Sequence, residues 1–180
     1  PVVIFTPDNG THRSLTYPFG KEKRTGEKAF ATEGGTHSPL IISCPGTVPT
    51  GVVSNDLVDF SDMMPTIAGI TGATLPNVEL DGRSFWPQCL GQTGNPRKWI
   101  FQYYYPKFVQ AAKNHGQGIN RLEIVWAQNQ HFKLYRDGTL YATSDRHEET
   151  PIDFGEDKEA DAARTLLKGA LDSMPLRARK

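Results

Sequence analysis

Asp8 and Asn9 are the first residues of this chain whose types and placement could do chemistry. They follow an unbroken β-branched and aromatic run, Val2-Val3-Ile4-Phe5-Thr6. A carboxylate and an amide offer hard oxygen atoms, the donors that Ca²⁺ and Mg²⁺ prefer. In open α/β sheets the ligand site lies just beyond the carboxyl ends of the strands, where this pair falls. Pro7-Asp8-Asn9-Gly10 is also a common turn sequence, because Asp and Asn tolerate left-handed backbone and Gly supplies positive φ. Asn9-Gly10-Thr11 matches the glycosylation acceptor pattern too, a reading at odds with an amide turned toward a metal. His12 either lines a pocket beside such an ion or sits in an exposed loop. Lys113 and His115 lie in a Gly-rich stretch, residues 111–118, that could reach a substrate. Cys44 and Cys89 have no metal-ligand spacing, which leaves a disulfide or two buried thiols.

The hydrophobic pattern shows which elements must position these residues. Val2 to Thr6 suits a strand covered on both faces, as in a parallel sheet flanked by helices. Arg13 to Lys28 is rich in Lys, Arg, Gly and Glu and reads as a long functional or mobile loop. Pro39 to Ser43 is a second short buried strand, closed by Pro45-Gly46. From Asp59 to Gly72, Phe60, Met63, Met64, Ile67, Ala68 and Ile70 recur at helical spacing, with the methionines as core packing. Ser61 or Asp62 can cap that helix, Pro65 fits its first turn and Gly72 ends it. Leu80 to Ser84 is a turn, followed by a short helical stretch to about Leu90.

Gly91 to Pro96 marks a boundary, beyond which the texture changes. Trp99 to Tyr105, Leu122 to Ala127 and His131 to Arg136 are strand-like. Asp137-Gly138 joins the last of them to Thr139-Leu140-Tyr141 as a hairpin. Ala163, Leu166, Leu167, Ala170, Leu171 and Met174 line one face of a final helix. Residues 97–180 are therefore expected to form a small antiparallel sheet with a helix packed on it.

The chain has 180 residues, and its 20 Lys and Arg balance 20 Asp and Glu. Zero formal net charge argues against a general nucleic-acid or membrane-surface binder. No run approaches transmembrane length, and no signal peptide is visible. The chain opens at Pro1 inside a strand that lacks the crossover a parallel neighbour needs. It is therefore expected to be the C-terminal piece of a longer protein.

The motifs follow a definite order. Asp8-Asn9-Gly10 closes a strand. Lys28 comes next, then Glu33-Gly34-Gly35, then Pro39-Leu40-Ile41-Ile42 and Pro45-Gly46. Asp62-Met63-Met64-Pro65-Thr66 and Leu80-Asp81-Gly82 complete the series. This order closely resembles the C-terminal part of the sulfatase (arylsulfatase) family of the alkaline phosphatase-like superfamily, over residues 2 to 86. The hairpin from Phe132 to Asp145 is similar to the family's end domain. The resemblance implies an α/β fold, with residues 1–96 the C-terminal part of the catalytic domain and 97–180 a C-terminal α+β subdomain. It implies that Asp8 and Asn9 are ligands of a divalent cation, Ca²⁺ or Mg²⁺. Lys28, five residues before Glu33, would be the sulfate-contacting lysine, and His12 a substrate-pocket residue. Glu33-Gly34-Gly35 has a structural role in this reading. His37 stands where the family usually has Arg. The implied partners are a sulfate-ester small molecule or glycan and the missing N-terminal part of the same protein, with no nucleic acid and no membrane span. A periplasmic or secreted location is implied by the resemblance alone.

The family's nucleophile, a formylglycine made from a Cys or Ser in a Cys/Ser-x-Pro-Ser-Arg motif, is absent from this chain. Cys44 is followed by Pro-Gly and Cys89 by Leu-Gly. Ser173-Met174-Pro175-Leu176-Arg177 has Leu in place of the second Ser and lies at the wrong end of the chain. Two oxygen ligands are also too few for Ca²⁺, which takes six to eight. The chain by itself is therefore expected to hold the ion weakly or not at all, and to be inactive. Two other functions fit less of the pattern. One is a related phosphatase or phosphodiesterase. The other is a non-catalytic module whose aromatic strand, Trp99 to Tyr105, stacks on sulfated glycans.

Overall fold

A computed structural model describes residues 1–104, 123–143 and 149–174. Lys113 and His115, and the Pro, Leu and Arg of the Ser173 to Arg177 stretch, lie outside these residues. The chain is α/β and divides into two compact units, one of residues 1–5 and 41–100 and the other of residues 6–40 and 101–180. Residues 6–40 group with the late strands in the second of these units.

In the first unit β1 (Val3–Phe5) pairs with β4 (Ile41–Ser43). The pairing is antiparallel, with Ile4 opposite Ile42, where a parallel neighbour was expected. A run of β-branched residues specifies extended backbone but not the direction of its partner. Burial on both faces is not seen either. Val3, Phe5 and Ile41 point one way and are exposed, while Ile4 and Ile42 are half-buried.

A 3₁₀ turn (Phe60–Asp62) leads into α2 (Met63–Thr71), and α3 (Trp86–Cys89) follows. Asp59 caps the turn, accepting from Ser61 N at 2.9 Å, and Asp62 completes a capping box with it by accepting from Asp59 N. Asp62 does more than cap. Its buried carboxylate takes Arg97 Nε at 2.7 Å and Nη2 at 2.5 Å, Arg83 N at 2.7 Å and Asp59 N at 2.9 Å. A buried charge must be paired and hydrogen-bonded, and Asp62 achieves both. Thr66 Oγ1 accepts from Phe85 N at 3.0 Å. The Asp-x-x-Pro-Thr motif is thus a stitch that ties the helix to the Leu80–Phe85 segment. Gly82 belongs to the same stitch, since a Cβ there would sit 1.9 Å from Ser61 O. Phe60, Met64 and Ile67 are exposed along one side of the helix, so this part of the apolar pattern is not core within the chain. Cys44 and Cys89 are free and half-buried, and burial pushes the Cys89 thiol pKa up.

In the second unit the five-stranded sheet runs in the order β5 (Ile100–Tyr104), β6 (Ile124–Gln128), β7 (Phe132–Tyr135), β8 (Leu140–Thr143), β9 (Glu149–Ile152). The pairs from β6 to β9 are antiparallel, with Trp126 opposite Tyr135 and Leu134 opposite Leu140. The helix α4 (Lys158–Ser173) buries Ala160, Ala163, Leu167, Ala170 and Leu171, while Leu166, expected on the same face, is exposed. Asp157 caps it by accepting from Glu159 N at 2.6 Å and Ala160 N at 3.1 Å. Every residue of β6 and β7 is buried, so the sheet is covered on both faces. The helix packs against β6 and β7. On the opposite face Ala31 joins Ile124, Trp126 and Tyr135 in a closed core. No helix among the described residues is long and apolar enough to cross a membrane.

Residues 13–28, expected as a loop, instead contain a hairpin of β2 (Thr16–Phe19) and β3 (Glu22–Thr25). Gly20-Lys21 forms its two-residue turn. β3 is charged, and the apolar alternation of β2 amounts to Tyr17 and Phe19 alone, both half-buried.

Candidate functional site: the Asp8-Asn9 turn and Lys28

Asp8 and Asn9 fall in the bend just past β1, as expected of a strand-end pair. The backbone around them is closed by contacts with the segment that carries Lys28. Gly10 N donates to Gly35 O at 2.9 Å, and Lys28 N donates to Thr11 O at 2.9 Å. Gly26 N donates to Leu15 O at 2.9 Å. The β2–β3 hairpin therefore returns the chain on itself and sets Lys28 beside Thr11. Gly10 is required by close approach, since a Cβ there would lie 2.0 Å from Gly34 O. The Asn-Gly and Gly-Gly motifs, separated in sequence by two dozen residues, are two sides of one contact.

Asp8 and Lys28 are exposed and Asn9 is half-buried. Among the described residues no hydrogen bond or ion pair engages these three side chains. They are available to a ligand. His12 is exposed, with Nδ1 2.8 Å from Ser14 Oγ. Among the described residues no three His, Cys, Asp or Glu side chains cluster as an ion site. The carboxylate of Asp8 and the amide oxygen of Asn9 fit a hard cation in donor chemistry.

A cluster that sequence reasoning missed lies directly behind this loop. Glu33 opens the short helix α1 (Glu33–Thr36) and is buried. Lys133, on β7, is fully buried, 2.9 Å from Glu149 Oε1 and 3.7 Å from Glu33 Oε1. Its Nζ also donates to Ala31 O and lies 4.7 Å from the Trp126 ring centre. Gln128 Nε2 donates to Glu33 Oε1 at 3.2 Å, and Glu33 N donates to Glu149 Oε1 at 2.9 Å. His37 Nδ1 is 3.2 Å from Glu33 Oε2, and this partner raises its pKa above the ordinary 6.5. At the position where the family usually has Arg, His37 thus meets Glu33. Burial also pushes the Tyr135 hydroxyl pKa far up. The one sequence signal was positional. Lys133 alternates with Tyr135 on a strand, so both share a face, and an aromatic face is rarely a wet one.

Comparison with known proteins agrees with the order of motifs. Residues 21–149 match the family model for N-sulphoglucosamine sulphohydrolase, C-terminal. Human arylsulfatase A is 32% identical over 178 residues, covering 97% of this chain and 35% of its own length. A solved structure in complex with its substrate D-glucosamine-2-N,6-O-disulfate superposes with TM-score 0.61 at 20% identity, over 95% of this chain and 34% of that one. A phosphonate monoester hydrolase from Silicibacter pomeroyi gives TM-score 0.55 at 24% identity, over 83% and 32%. These two likenesses are of fold. The chain spans about a third of the length of these relatives. By the family match and the motif order together, the chain belongs to the sulfatase family, as a C-terminal part of it.

Proposed function

We propose that this chain is the C-terminal part of a sulfuric ester hydrolase, with residues 1–96 completing the catalytic domain and 97–180 forming the end subdomain. Lys28 contacts the sulfate of the substrate. Asp8 and Asn9 contribute two oxygen ligands to a Ca²⁺ or Mg²⁺ ion whose remaining ligands lie upstream. His12 borders the substrate. The nucleophile, a formylglycine in this reading, also lies upstream.

The single observation that carries this is the closure of the Asp8-Asn9-Gly10 turn onto the Lys28 to Gly35 segment, with the Asp8, Asn9 and Lys28 side chains unengaged among the described residues. Breaking a sulfate ester moves negative charge onto the leaving oxygen and the sulfate oxygens. A fixed ammonium at Lys28 stabilises that charge best if it is held in place before the reaction and away from bulk water. A bound divalent ion supplies Lewis-acid polarisation of the same oxygens. Asp8 lowers the local potential and so favours the cation beside it.

The substrate is a small sulfate ester or a sulfated glycan. Resemblance to a family with a sulphoglucosamine hydrolase makes N- and O-sulfated glucosamine part of the test panel. The location proposed is periplasmic or secreted. The experiment is to assay the whole protein on p-nitrophenyl sulfate and on sulfated glucosamines, before and after chelation. Activity lost to chelator, restored by Ca²⁺ or Mg²⁺ and weakened by Asp8→Asn supports the reading. Chelator-insensitive activity, or activity on phosphate monoesters alone, refutes it.

A further inference from the structure

Lys28 is followed by Ala29, whose φ is +75°. It is the one non-glycine residue at positive φ among the described residues. Such backbone is strained and persists only where the surroundings over-determine it. The surroundings here are side chains of the five-stranded sheet, converging on the backbone just after Lys28. Tyr104 Oη, on β5, donates to Ala29 O at 2.9 Å. Tyr135 Oη, on β7, donates to Ala31 O at 3.4 Å, and Lys133 Nζ donates to the same oxygen. Glu149, on β9, accepts from Glu33 N at 2.9 Å. Three strands thus grip residues 29–33 by their main-chain atoms, and Ala31 itself is fully buried against Trp126 and Tyr135.

Fastening by main-chain carbonyls and amides has a specific consequence. It fixes the path of the backbone whatever the side chains do, and a long Lys side chain is aimed by its own Cα position. Core packing alone needs no tyrosine hydroxyl reaching a carbonyl at Ala29. Nor does it need a buried ammonium directed at Ala31 O when two carboxylates are in reach. We infer that the C-terminal sheet acts as a positioning device for Lys28, with Tyr104 and Lys133 as positioning residues that hold the strained turn at Ala29. This rests on the proposed role of Lys28 in contacting sulfate. It adds that the end subdomain belongs to the chemistry and is not merely appended to it.

The test is a double-mutant cycle in the whole enzyme, with p-nitrophenyl sulfate as substrate. Residues that act through one another give non-additive losses. Tyr104→Phe removes one hydroxyl at a half-buried site and leaves the fold intact. It is expected to lower kcat by about tenfold, within the range that sub-ångström to 1 Å misplacement of a reacting group produces. KM should change much less. In a Lys28→Ala background the same substitution should change kcat by less than about twofold. Lys133→Met should behave likewise where it folds. Amide hydrogen exchange at Lys28 and Gly10 supplies a readout without turnover, and both variants should speed it. If Tyr104→Phe lowers kcat equally with and without Lys28, the inference is overturned while the role of Lys28 stands. If Lys28→Ala leaves kcat unchanged, the sulfate-contact reading falls first and the inference with it. Unchanged exchange at Lys28 in both variants overturns the positioning claim alone.

Discussion

Replacing Lys133 by Met is the most severe test of how the second unit is held together. The ammonium is fully buried, and its carboxylate partners Glu33 and Glu149 have side chains only 4% and 9% exposed. At an effective dielectric near 20, contacts at 2.9 and 3.7 Å correspond to gross attractions of about 6 and about 4 kcal/mol. Desolvating three charges cancels much of that, so the intact cluster contributes little net stability. Breaking it is different. Met fills a similar volume but removes the buried ammonium from between two carboxylates, and loss of one partner from such a cluster costs about 3–5 kcal/mol. The cation–π contacts with Trp126 and Tyr135 add a smaller loss. Urea denaturation of the variant and the parent at neutral pH measures the difference. The loss should shrink when Glu149→Gln is added, because one stranded charge is then removed. A loss below about 1 kcal/mol, or a double variant less stable than Lys133→Met, would refute the reasoning.

Other perturbations have equally definite outcomes. The raised pKa of His37 comes first from its hydrogen bond to Glu33, so protonated His37 stabilises the fold. That contribution is fully present below pH 6.5 and is lost as pH rises through the higher folded value, while His37→Asn removes the dependence. Because His37 is more than half exposed, the swing seen in denaturation at several pH values should stay under about 1 kcal/mol. Arg97→Met strands the buried Asp62 carboxylate and should cost about 3–5 kcal/mol by chemical denaturation. Gly10→Ala drives a methyl into Gly34 O, a backbone atom that cannot swing aside. It should lower sulfate-ester turnover in the whole enzyme well before it lowers the melting temperature.

Much of this arrangement was legible in the letters, for local reasons. Asp8-Asn9-Gly10 after a β-branched run, Asp137-Gly138 between strands and the Ala163 to Met174 stripe each encode one element within a few residues. The order of the motifs then points to the family. What could not be read depended on neighbours distant in sequence. The direction of β1 against β4 is set by its partner, not by Val3-Ile4-Phe5. In the hairpin at Thr16–Thr25 only Tyr17 and Phe19 alternate as apolar residues while β3 is charged, and β9 contains Pro151. Alternation places Lys133 on the face of Tyr135, but nothing nearby in sequence names the partners its charge requires there. It is buried because residues 29–33 cover that face, a contact spanning some hundred positions. Glu33 looked structural from its glycine neighbours and proves so, with partners no local pattern announces.

The central claim is that this chain contributes the sulfate-contacting and part of the cation-binding apparatus of a sulfate-ester hydrolase, and is inert without the remainder. The direct measurement compares p-nitrophenyl sulfate hydrolysis by the whole protein, by its Lys28→Ala variant and by the 180-residue chain alone. Turnover by the whole protein, a fall of about 100-fold or more on losing the Lys28 ammonium, and none from the isolated chain is the predicted result. Hydrolysis by the isolated chain, or undiminished turnover by Lys28→Ala, would contradict it.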